Sequence, residues 1–93
     1  FQDSATEADI QAIVKAFANL KNEIEAIHDF EWGTDVSVEN AQQGFTHCFQ
    51  VTFLSEADRA TYLPHPAHQA FGAILHPHLD TVLVIDYWAK SSA

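Results

Sequence analysis

The run Phe45-Thr46-His47-Cys48-Phe49-Gln50-Val51-Thr52-Phe53 alternates without a break. Successive side chains of a strand point to opposite faces of a sheet. Phe45, His47, Phe49, Val51 and Phe53 therefore share one face, and Thr46, Cys48, Gln50 and Thr52 the other. A face this aromatic demands a cover. The chain has 93 residues, of which 47% are hydrophobic and 12% aromatic, so it has the means to supply one as a single packed domain, residues 1–93. A domain this short buries a modest share of its surface, and oligomerisation is a common supplement.

Before that strand, Ser4-Ala5-Thr6-Glu7 has the pattern of a capping box. Ile10, Ile13, Val14, Phe17, Leu20, Ile24 and Ile27 then recur at helical spacing. They predict one amphipathic helix over roughly residues 5–28, with Lys15, Lys21, Glu23 and Glu25 on its solvated side. Phe30 to Val36 alternates and reads as a strand with Gly33 as its irregular point. Ser37 to Gly44 reads as a loop. Ser55 is a predicted N-cap for a short helix ending near Tyr62. Pro64 and Pro66 break that helix, and Pro66 suits the first turn of another through about Leu75, which Pro77 stops. Thr81 to Trp88 is rich in β-formers and predicts the last strand; the tail from Ala89 should fray.

The predicted order is helix, strand, strand, helix, strand. This is an α+β chain with the ferredoxin-like β-α-β-β-α-β pattern, lacking its first strand. That strand is central in the topology, and its loss would leave inner sheet edges open. Phe1 reads as its last residue, so a natural start about ten residues earlier is expected from ordinary strand length.

Thirteen acidic against four basic residues give a net charge of −9. That disfavours nucleic acid and anionic membrane surfaces as partners. No apolar run is long enough to cross a membrane, and the first residues carry no signal-peptide pattern. The single Cys48 fits a reducing, cytoplasmic setting and reads as a small packing residue.

The chemistry concentrates in Tyr62-Leu63-Pro64-His65-Pro66-Ala67-His68-Gln69-Ala70-Phe71. Two histidines and a tyrosine, all proton-handling groups, lie within seven positions. His65 precedes Pro66 and suits a helix-start cap better than a catalytic role, since helix N-termini leave unsatisfied donors. His47 either points into the interior as a second proton-transfer candidate or bonds across the sheet. His76, His78 and Asp80 form a loop cluster that reads as solvated, so no metal is expected. Asp86 needs a structural partner. No zinc spacing, phosphate loop or nucleophile elbow is present.

Taken together, Phe1-Gln2-Asp3, Trp32-Gly33-Thr34-Asp35-Val36, Gly44-Phe45-Thr46-His47, Val51-Thr52-Phe53, Tyr62 with His65-Pro66-Ala67-His68, and Ile85-Asp86-Tyr87 resemble the stress-responsive α/β-barrel (Dabb) family over nearly the whole chain. The resemblance implies a homodimer in which two sheets close into a barrel, with the aromatic face Phe45, Phe49, Phe53 suited to dimerisation. Within the family the likeness is to plant polyketide cyclases, where a tyrosine and the second histidine of the run carry an intramolecular aldol condensation. Those positions are Tyr62 and His68 here. The same likeness implies a lining of His65, Ile13, Phe17, Phe30, Phe49, Leu63, Phe71, Gly72, Leu79, Val82 and Val84, with Pro64 in place of an aliphatic residue.

Two function classes follow. One is a cofactor-independent enzyme on a small ketide-like or aromatic molecule, with His68 as base and Tyr62 as oxyanion donor. The other is a non-catalytic stress-responsive or ligand-binding dimer in which His68 bonds to backbone and Tyr62 packs the core. A cavity of about 300 Å³ or more lined by both residues favours the first.

Overall fold

The computed structural model describes residues 1–90. Helix α1 spans Glu7–Glu23, strand β1 Asp29–Thr34, strand β2 His47–Thr52, helix α2 Glu56–Tyr62 and helix α3 Pro66–Leu75, closing on a 3-10 turn at His76–His78. The strands pair antiparallel, with Phe30 opposite Val51, Trp32 opposite Phe49 and Thr34 opposite His47.

α1 starts two residues later than the Ser4 box predicts. Thr6 is the N-cap: its hydroxyl accepts from Asp9 N at 3.1 Å while Asp9 accepts from Thr6 N at 3.0 Å. That is the same reciprocal device with Asp in the third position. The helix also ends early, at Glu23. Ile24 and Ile27 are nonetheless buried, because the chain turns there and drops both side chains into the core. A helical stripe and a turn that follows it down into the core read alike in sequence.

The core is built by Ile13, Leu20, Ile24, Ile27, Tyr62 and Phe71, with Phe17, Val51 and Phe53 packed against it. Burying each such side chain is worth about 1.5–3 kcal/mol. Ser55 caps α2 through Asp58 N at 3.1 Å. Pro66 opens α3 as expected, and its missing N–H would have been unpaired there in any case.

Four expectations need correcting. The aromatic face of β2 does not lie open for a partner. Phe49 stacks on Phe17 of α1 with ring centres 4.8 Å apart, so that face is covered from within the chain. Cys48, on the other face, is exposed rather than packed, because no layer of described residues covers it. Gly33 sits in register opposite Cys48 with no irregularity. Thr81 to Trp88 forms no strand. Its β-rich composition favours pairing, but β-propensity is realised only against a neighbouring strand, and the described sheet has two strands. This segment is tethered instead by side chains: Gln50 donates to Tyr87 Oη at 2.9 Å, and Arg59 meets Asp86 at 3.3 Å. Just before it, Gln2 holds the chain through His78 O and Leu79 O, both at 2.8 Å. Of the expected tail, residues 91–93 lie outside the described residues.

Candidate functional site

Tyr62 is the last residue of α2 and His68 lies in the first turn of α3. The bend at Leu63-Pro64-His65 folds α3 back so that the two rings meet, 4.2 Å between centres and 33° between planes. Phe53 packs on Tyr62 at 5.0 Å, and the tyrosine is 7% exposed. Burial raises the Tyr62 phenol above its ordinary value of 10.0. The hydroxyl therefore stays protonated at neutral pH and can donate.

His68 Nδ1 lies 2.9 Å from the carbonyl oxygen of Leu63. A carbonyl only accepts, so Nδ1 carries the proton. In the neutral imidazole the lone pair is then on Nε2, the nitrogen free to act as a base. The Leu63 carbonyl is available because Leu63 is the C-cap of α2 and Pro64 ends the helix. Gln69 Nε2 donates to the same oxygen at 3.1 Å. Sequence reading weighs a backbone bond for His68 but passes over the Gln69 donor beside it. The signal that could have found it is a helix start laid by two prolines directly over the preceding helix end.

His65 is the N-cap of α3, its Nδ1 accepting from Ala67 N at 3.1 Å. This occupies the ring in a structural bond. His47 lies on the aromatic face: Phe1 meets it edge-on at 4.9 Å, Trp32 and Phe49 flank it at 6.5 and 6.4 Å, and its Nδ1 lies 2.8 Å from Thr46 Oγ1. Burial lowers the His47 pKa below the ordinary 6.5.

Phe17 gathers the aromatic wall, meeting Phe30 at 5.1 Å, Phe49 at 4.8 Å and Phe71 at 4.5 Å. Ile13 is buried in the core beside it. A depression of about 360 Å³ on α3 is lined by His68, Gln69, Phe71, Gly72, Leu75 and His76. Tyr62 meets His68 but is not in this lining. Leu63 is half-exposed, and Val82 and Val84 are exposed and line neither this depression nor a smaller one of about 250 Å³ beside His47 and Cys48. Leu79 is half-buried. Among the described residues, no three His, Cys, Asp or Glu side chains converge to hold a metal. His78 instead faces Asp9 at 3.8 Å.

The chain matches known proteins over nearly its whole length. Residues 1–89 match the stress-responsive A/B barrel domain, Dabb. The chain belongs to that family. A curated Dabb relative, the stress-response A/B barrel domain-containing protein HS1 of Arabidopsis thaliana, is 48% identical over 94% of this chain and 80% of its own length. Olivetolic acid cyclase of Cannabis sativa is 39% identical over 94% of this chain and 86% of its own.

Among solved Dabb-like structures, hydroxynitrile lyase from Passiflora edulis superposes with a TM-score of 0.93 at 26% identity, covering all of this chain and 88% of that one. A dimeric ferredoxin-like protein from Jannaschia superposes at 0.74 with 25% identity, over 90% of this chain and 88% of that one. The Dabb chain is thus α+β with a ferredoxin-like fold, and its relatives include catalytic proteins. Among the described residues no helix is long and apolar enough to cross a membrane.

Proposed function

We propose that this Dabb domain is a cofactor-independent acid–base catalyst of aldol-type cyclisation on a small ketide-like or aromatic molecule. The observation that carries the reading is the Tyr62–His68 contact at 4.2 Å with His68 Nδ1 committed to the Leu63 carbonyl. The free Nε2 takes a proton from an acidic C–H flanked by carbonyls. The resulting carbanion attacks a second carbonyl carbon of the same molecule, forming the C–C bond. Tyr62 donates a hydrogen bond to the oxygen on which negative charge collects. The imidazolium then returns its proton to that oxygen. The olivetolic acid cyclase and hydroxynitrile lyase relatives support lyase-type chemistry on this scaffold. Phe17, Phe30, Phe49, Phe71 and Gly72 supply the apolar lining in this reading, with His47 at its far end. His65 acts by holding the start of α3, and Leu63 through its carbonyl. Val82 and Val84 complete the lining once their segment is paired.

The working form is a homodimer in which residues 1–93 are one domain. The dimeric ferredoxin-like relative supports this. So does the exposed apolar run Val82, Leu83, Val84, Ile85, Tyr87, Trp88, which has no strand partner among the described residues. The free thiol of Cys48 suits a reducing, cytoplasmic compartment.

The test is turnover of linear poly-β-keto substrates by the wild type, His68→Ala and Tyr62→Phe. Equal rates for the three would remove the pair from the mechanism. A second reading, a non-catalytic stress-response dimer that binds a small apolar ligand, is favoured by the HS1 relative, by the absence of Tyr62 from the His68 depression, and by the two features expected of it, a His68 bonded to backbone and a Tyr62 packed in the core. It predicts ligand binding without turnover.

A further inference from the structure

The base proposed above is held by a carbonyl that has two donors. Leu63 O accepts from His68 Nδ1 at 2.9 Å and from Gln69 Nε2 at 3.1 Å. A carbonyl oxygen has two lone pairs, and both are occupied here. The carbonyl belongs to the C-cap of α2, and both donors come from the first turn of α3. Between them stand Pro64 and Pro66, which have no N–H to offer the end of α2. The exposed C-terminus of α2 is therefore satisfied by side chains reaching back five and six residues.

We propose that Gln69 is a positioning residue for His68. It occupies one lone pair of the Leu63 oxygen, keeps water from that acceptor and leaves the other lone pair to Nδ1, fixing the Nδ1–H tautomer and leaving Nε2 as the base. The inference deepens the acid–base reading and rests on it for its catalytic meaning, while its physical content concerns only the tautomer. Without the Gln69 amide, water takes its place on the Leu63 oxygen at this exposed helix end and competes with Nδ1 for the carbonyl. The imidazole then loses the bond that selects its tautomer. Gln69 itself is exposed and on a helix, so replacing it with another long side chain leaves the core untouched.

The experiment is nitrogen-15 NMR of the histidine rings of the whole chain near pH 8, where an ordinary imidazole is neutral. His68 is assigned by the signal lost in His68→Ala. The wild type is expected to carry the proton on Nδ1. Gln69→Leu, which keeps the length and loses the donor, should shift at least half of the population to Nε2–H. Gln69→Arg, which restores a donor of sufficient reach, should return it to Nδ1–H. An unchanged ratio in Gln69→Leu, an equal shift in both variants, or an Nε2–H wild type would each overturn the proposal. Circular dichroism of the variants confirms an intact fold. On a turned-over substrate, Gln69→Leu should lower kcat about 3–10-fold, the worth of one hydrogen bond, with KM little changed. If the tautomer shifts as expected while the wild type turns over nothing, the acid–base reading fails and the positioning role stands.

Discussion

Phe17 of α1 lies flat against Phe49 of β2, 4.8 Å between ring centres and 15° between planes. The same ring meets Phe30 and Phe71, so one side chain joins the long helix, both strands and α3. Phe17→Ala should therefore cost more than a typical half-buried truncation. The expected loss is about 3 kcal/mol, the lower end of the range for removing a packed phenylalanine. Chemical denaturation of the two proteins measures it. A loss below about 1 kcal/mol would mean the rings contribute area without coupling the elements.

The start of α3 gives a second prediction. His65 Nδ1 accepts from Ala67 N, an uncommon cap that only an unprotonated nitrogen can provide. His65→Ala should destabilise by about 1 kcal/mol, whereas His65→Asn, a preferred cap, should leave stability unchanged or improve it. Thermal melts of the three proteins decide this. Equal melting of His65→Ala and wild type would assign the helix start to Pro66 alone.

Much of this architecture is legible in the sequence where one local force dominates. Ser55 and Pro66 mark their helix starts because capping and ring geometry act within a turn. The alternation of β2 survives because period two fixes the faces whatever covers them. What covers them was not legible. Phe49 pairs with Phe17 across 32 positions, and nothing in the strand says whether its cover is a helix of the same chain or a second copy. The Thr81–Trp88 segment failed for a related reason, since β-propensity names a willingness to pair but not the neighbour. The proximity of Tyr62 and His68 could be read from the proline bend, but the particular carbonyl that His68 shares with Gln69 could not, because a backbone acceptor has no residue type of its own.

His47 makes stability depend on pH in a definite window. Burial among Phe1, Trp32 and Phe49 lowers its folded pKa below the 6.5 of the unfolded chain. The unfolded state then binds more protons wherever the pH lies near or below 6.5, so stability rises with pH there. The contribution is present above the unfolded value and is lost as the pH falls from about 6.5 through the lowered folded value. Asp9 and Asp35, held low by bonds to Thr6 and Ser37, act in the same direction but only below 3.8. His47→Gln should flatten the stability profile in the range just below about pH 6.5 and leave the more acidic limb in place. An unchanged profile on urea denaturation across that range would show that the imidazole titrates as freely folded as unfolded.

Tyr62 separates packing from catalysis. Its ring is wedged between Phe53 and His68, and Tyr62→Phe keeps that ring while removing only the hydroxyl. No described residue hydrogen-bonds to Tyr62 Oη, so its loss orphans no buried partner and stability should change by less than about 1 kcal/mol. If the hydroxyl stabilises developing negative charge, kcat should fall about 100–1,000-fold, the usual effect of deleting one oxyanion donor, with KM little altered. The fall should persist from pH 6 to 8, because a phenol raised above 10.0 by burial remains protonated across that range. Steady-state kinetics on a cyclising ketide checks it. A variant that melts like the wild type and turns over at the same rate would leave Tyr62 as a core residue and shift the oxyanion role elsewhere in the pocket.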